Sequence, residues 1–137
     1  MERIKVSKAE ALAKFLECEV DDINETNYCF EYGKQEYLVL TDKEADEKAE
    51  QDILDSAWAF NKSFLDCHSK AISEIDEKTF QVLQERCESS NKAILVMIDN
   101  IDDFVEDAIS SDGRGHFLSG YDGEENEQDE YYIYRIN

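Results

Sequence analysis

The stretch YCFEYGKQEYLVL, Tyr28 to Leu40, sets aromatic and β-branched residues on both sides of Gly33-Lys34-Gln35. Such runs around a short glycine turn predict a β-hairpin. Two strands alone are marginal in water, so a third is needed. The last residues, Tyr131-Tyr-Ile-Tyr-Arg-Ile136, read as a strand that would best join the hairpin as the third.

The rest of the chain reads as helix. Ser7-Lys8-Ala9-Glu10 is a capping box, predicting a helix over 8–18 with Leu12, Phe15 and Leu16 inward. Asp21 to Asn27 is polar and turn-like. Thr41-Asp42-Lys43-Glu44 opens a second helix in the same way. Its stripe, Ala45, Ala49, Ile53, Ala57 and Phe60, widened by Leu54 and Trp58, faces a core. Residues 61–75 predict one or two short helices. Asp76 caps a long helix over 77–98 with Phe80, Leu83, Cys87, Ile94, Leu95 and Ile98 inward. Helix continues over 99–110 with a bend near Asn100, and Gly113 and Gly115 stop it. A small antiparallel sheet packed on several α-helices makes an α+β fold. At 137 residues the chain is expected to form a single domain, 1–137.

Charge is the outstanding property. Thirty-four acids oppose 14 bases, for a net charge of −20. The excess sits in two blocks: residues 19–60 and 99–137 each carry −10, while 1–18 and 61–98 are nearly neutral. That balance disfavours direct binding to nucleic acid phosphates or to an anionic membrane surface. It favours fast, salt-sensitive capture of a basic surface. No apolar run is long enough to span a bilayer, and the MERIKVSKAEALAKFL terminus lacks the apolar region of a secretory signal. Cys18, Cys29, Cys67 and Cys87 never form CxxC, and they read as reduced, buried thiols of a cytoplasmic protein.

Three motifs invite chemistry. Ser119, His116 and Asp122 are the residue types of a hydrolase triad, but GxSxG is absent and proximity in sequence is not geometry. Instead, Asp112 to Ser119 reads as a helix stop and strand lead-in, with Arg114 and His116 hydrogen-bonding locally. Asp122 to Glu130 is rich in oxygen ligands, yet its sixth residue is Glu127 where a calcium loop needs glycine. Cys67-His68 lacks further ligands at zinc spacing. No catalytic residue, metal or cofactor is expected.

The sharpest pattern is Asp99, Asp102, Asp103, Glu106 and Asp107. Its spacing puts five carboxylates on one helical face, with Ile98, Ile101, Val105 and Ala108 on the other side. Like-charge pairs at i,i+4 each cost about 0.2–0.5 kcal/mol, and residues 99–107 hold no lysine or arginine to offset them. Asp42, Asp46 and Glu50 form a similar row on the second helix. Carboxylates three or four positions apart lie about 5–6 Å from one another at Cβ, broadly comparable with the phosphates of one DNA strand.

Several segments together resemble a family of small acidic proteins of phages and other bacterial mobile elements. They are Tyr37-Leu-Val-Leu-Thr-Asp42 with Glu44-Ala-Asp46, Trp58-Ala-Phe-Asn61, Phe104-Val-Glu-Asp-Ala-Ile109, Gly113-Arg-Gly-His-Phe-Leu-Ser119 and Tyr121-Asp-Gly-Glu-Glu-Asn-Glu127. The resemblance covers roughly residues 35 to 137 and implies no catalytic residue. Small acidic phage proteins include DNA mimics that block restriction enzymes, CRISPR complexes or other DNA-binding host proteins. The resemblance therefore implies a non-enzymatic inhibitor acting on a basic nucleic-acid-binding host protein, in the cytoplasm of a bacterial host. The residues expected to meet that partner are Asp99, Asp102, Asp103, Glu106 and Asp107, then Asp42, Asp46 and Glu50, then Asp122, Glu124, Glu125 and Glu127. A second expectation is a structural or regulatory phage protein that binds a basic surface without mimicry, through tyrosines such as Tyr131, Tyr132 or Tyr134. A third is an enzyme using Arg114, His116 and Asp122.

Overall fold

The computed structural model describes residues 6–137. Residues 1–5, on which the expectation about a secretory signal partly rests, lie outside the described residues. In chain order the elements are α1 (Lys8–Leu16), β1 (Asn24–Glu25), β2 (Phe30–Tyr32), β3 (Gln35–Leu40), α2 (Asp42–Asp55), α3 (Lys62–Asp66), α4 (Lys70–Ser73), α5 (Glu77–Gln84), α6 (Asn91–Met97), α7 (Ile101–Asp112), α8 (Arg114–Leu118), β4 (Asn126–Gln128) and β5 (Tyr131–Arg135). The fold is α+β, and it is organised in two compact units: residues 1–49 with 112–137, and residues 50–111.

The first unit holds the sheet, in order β1-β2-β3-β5-β4 with every pair antiparallel. The hairpin forms as the sequence predicts, Tyr32 facing Gln35 across Gly33-Lys34. The C-terminal strand joins it, with Val39 opposite Ile133 and Leu38 opposite Tyr134. Alternation then sorts the side chains. Tyr37, Val39 and Ile133 join Phe30 and Leu12 of α1 in one buried cluster. Leu38 and Tyr134 point to the opposite face and are buried as well, so both faces of the central strands are covered. Burying one such aliphatic or aromatic side chain contributes about 1.5–3 kcal/mol.

Both capping boxes are present. Ser7 Oγ accepts from the Glu10 amide while Glu10 accepts from the Ser7 amide. Thr41 and Glu44 exchange the same pair of bonds at 3.2 and 2.9 Å. Two strands escaped the sequence reading, β1 and β4. The latter lies inside the acidic run and pairs with β5 around Asp129-Glu130, both at positive φ.

The second unit is helical. Leu65, Ile72, Phe80, Ile94, Phe104 and Ala108 are fully buried. The rings of Phe60, Phe64, His68 and Phe104 pack at centroid separations of 5.2–5.9 Å. The expected long helix over 77–98 is broken. It stops at Gln84, passes through a 3-10 turn over Cys87–Ser90, and restarts as α6. Cys87 stands at φ +53 and is exposed, not inward, and buried Ser90 donates to its carbonyl. A second break falls where the bend near Asn100 is expected: the chain bends at Asp99, and Asn100 caps α7. Its side chain accepts from the Asp103 amide at 3.1 Å. All four cysteines are free, but only Cys29 is buried; Cys67 and Cys87 are exposed and Cys18 is intermediate. No helix among the described residues is long and apolar enough to cross a membrane.

Candidate functional site

On α7 the core takes Phe104, Val105 and Ala108. The opposite side carries Asp102, Asp103 and Glu106, all exposed, and among the described residues none of the three has an ion-pair or hydrogen-bond partner for its carboxylate. With Asp107 and Ser110, Asp103 and Glu106 rim a surface depression of about 340 Å³. The two ends of the expected five-carboxylate row are occupied. Asp99 precedes the helix; its carboxylate accepts from the Lys70 amide at 3.0 Å and its own amide donates to the His68 carbonyl at 2.8 Å. Asp107 lies 2.6 Å from His68 Nε2 and accepts from Ser111. The row of five thus resolves into three open carboxylates between two engaged ones.

In the first unit the acidic residues of α2 and of the acidic run meet on one side chain. Arg114, only 11% exposed, donates from Nη1 to Asp42 Oδ1 at 2.9 Å and Asp46 Oδ1 at 3.0 Å, and from Nε to Glu125 Oε1 at 2.8 Å. Its Nη1 also reaches the Asp42 carbonyl, and its guanidinium lies 4.6 Å from the centre of the Tyr132 ring. The expectation of local hydrogen bonds is corrected: these bonds span up to 72 residues. A guanidinium presents five donors in a fixed fork, so one arginine can clasp several carboxylates. Burial alone would lower its pKa; the hydrogen bonds it donates to Glu125 and Asp42 outweigh this and hold it above the ordinary arginine value. The signal was in the sequence: residues 99–137 offer two bases to twelve acids, and the other base, Arg135, stacks on Tyr121 at 3.5 Å.

Glu125 also accepts a short hydrogen bond from the buried Tyr134 hydroxyl. Burial first, then that bond, pushes the phenol well above its usual value near 10. The folded state therefore keeps a proton that the unfolded chain releases, and stability falls as pH rises past about 10. The urea midpoint should drop more steeply between pH 9 and 11 for the parent chain than for Tyr134→Phe, and equal slopes would exclude the linkage.

Gly113, at φ +83, ends α7 as expected. Gly115 does not stop a helix; it lies buried within α8. A Cβ there would sit 2.9 Å from the Glu124 carbonyl carbon and 3.0 Å from the Glu125 amide, and closer still to the Gly123 oxygen. All three are backbone atoms, so the 122–125 turn would have to move. Gly115→Ala is expected to cost about 1–3 kcal/mol, read as a lower urea midpoint at unchanged m-value.

The apparent triad is a turn. The Ser119 hydroxyl lies 2.8 Å from both Asp122 Oδ1 and the Arg135 carbonyl. The Glu124 amide and then Ser119 hold the Asp122 carboxyl below the usual range. His116 is exposed, edge-on to Phe117, and bonds to neither. Glu124 and Glu127 are exposed, Glu127 on the edge strand β4, and Glu50 is exposed on α2. Of the tyrosines considered for an aromatic contact, Tyr134 is fully buried, Tyr131 donates to the Val6 carbonyl and Tyr132 lies under Arg114. The exposed tyrosines are Tyr28 and Tyr121. Among the described residues no cluster of three or more His, Cys, Asp or Glu side chains is arranged to hold a metal ion.

Comparison with known proteins adds no relative: no family model matches the chain, and no curated protein or solved structure is detectably similar to it.

Proposed function

We propose that this chain is a non-enzymatic inhibitor of phage or mobile-element origin, which occupies the nucleic-acid-binding surface of a basic host protein such as a CRISPR effector complex or a restriction enzyme. The single observation that carries the reading is the triplet Asp102, Asp103 and Glu106: exposed, unpartnered among the described residues, and fixed to a helix whose other side is core. A rigid helix presents the three charges without a backbone ordering cost at the moment of binding. Their repulsion is relieved by a partner's lysines and arginines, which gives the triplet a use beyond solubility. The origin and the class of partner rest on the sequence resemblance.

Affinity capture from a bacterial host lysate at low salt, elution by a salt gradient and purification of the eluted protein test the reading. The purified partner should lose duplex binding in proportion to its occupancy by this chain, and the affinity should fall steeply with ionic strength. A partner that keeps its DNA while complexed overturns mimicry. That outcome would favour regulatory binding to a basic surface, for which Tyr28, 85% exposed, is an aromatic anchor.

A further inference from the structure

The helical unit carries a cleft of about 570 Å³, lined among others by Trp58, Phe60, Lys62, Asp66, Glu77 and Gln84. Its volume lies within the range of small-ligand sites. Its wall is braced by side-chain amides. Gln84 Nε2 donates to the carbonyls of Trp58 and Phe60 at 3.1 and 2.7 Å, and Asn91 ties the Trp58 amide to the Leu54 carbonyl at 3.0 and 2.7 Å. Both amide side chains thus fix the segment that holds the tryptophan.

The charges of the lining are unequal. Lys62 is 11% exposed and bound to Asp66 at 3.0 Å, so this pair is internally neutral. Glu77 has no partner among the described residues and leaves the cleft with an open carboxylate. Gln84 spends its donors on the backbone, and its carbonyl oxygen remains as an acceptor. A cation is therefore favoured over an anion, and an aromatic lining adds attraction for a flat, weakly hydrated cation.

We infer that this cleft receives a guanidinium-bearing side chain, an arginine presented by a protein or peptide, with Glu77 and the Gln84 carbonyl as acceptors and Trp58 as the aromatic wall. The inference does not depend on the reading of α7, since it concerns one side chain and a different lining.

Trp58 is the sole tryptophan of the chain, so its fluorescence reports the cleft directly. N-acetyl-arginine amide titrated against the whole protein should give a saturable change in Trp58 emission. The uncharged N-acetyl-citrulline amide should bind about tenfold more weakly, as should the arginine probe to Glu77→Gln. No saturable response, equal affinity for the citrulline probe, unchanged affinity in Glu77→Gln, or a comparable response to inorganic phosphate would each overturn the assignment.

Discussion

Reversing Asp102, Asp103 and Glu106 together to lysine is expected to weaken capture of the basic partner by about 100-fold or more, because like charges facing each other across an interface cost several kcal/mol. The fold should survive. All three side chains are exposed and unpartnered among the described residues, so the change breaks no contact; the lysines repel one another as the carboxylates did, and the two in the first turn of α7 cost about 0.3–1 kcal/mol each against the helix dipole. Asp107 is left in place because its removal would strip His68 of its 2.6 Å partner and confuse binding with stability. The control is an equal change of net charge elsewhere in the same unit, Glu74, Glu85 and Glu88 to lysine, all of them exposed. If both triple variants lose capture equally in an equilibrium assay at fixed salt, bulk charge governs binding and the α7 face has no special role.

Arg114→Ala is expected to destabilise the sheet unit by about 2–4 kcal/mol, read from the urea midpoint at constant m-value. The substitution leaves Asp42, Asp46 and Glu125 facing one another with no cation between them. Asp42 and Asp46 are 70% and 59% exposed, so water recovers much of their loss. The larger share comes from Glu125, which is 32% exposed and shared with Tyr134, and from the lost packing on Tyr132. Arg114→Lys should fall between the two, since an ammonium keeps the charge but cannot reproduce the fork. The exposed Lys8–Glu44 pair at 2.8 Å is the contrast; pairs of its kind contribute about 0–1 kcal/mol. A loss no larger than that in Arg114→Ala would show the clasp to be ornamental.

The hairpin and the first two helices were legible because each was signalled twice. The hairpin had its residue types and its turn; α1 and α2 had a capping box and an apolar period. Strand β4 had neither, since Asn126-Glu-Gln128 is polar throughout and takes its strand geometry from β5. The helix over 77–98 failed for the opposite reason. Its apolar period runs on past Arg86 without a glycine or proline to mark the break, and the left-handed Cys87 that makes it has no sequence signature. The acidic face was half legible. Helical spacing found the α7 residues, yet it could not show that His68 holds one of them or that a Lys70 amide holds another. Nor could it show that Arg114 draws carboxylates from two distant segments into one clasp. Spacing reports which residues share a face; it does not report which are already engaged.

The sheet unit is split by residues 50–111, and β5 sits between β3 and β4. On a ribosome the hairpin therefore emerges about 90 residues before the strand that completes it. The intervening helices form one contiguous piece of chain and can condense on their own as they appear. Until β5 arrives, β3 has an open edge, with Leu38 and Val39 uncovered by their opposite numbers, and this is the interval in which such an edge can pair wrongly. Closing so long a loop costs entropy before any cross-strand contact repays it. The same order of events makes the arrival of β5, not the pairing of the first strands, the step that joins β3 to β4 in the sheet.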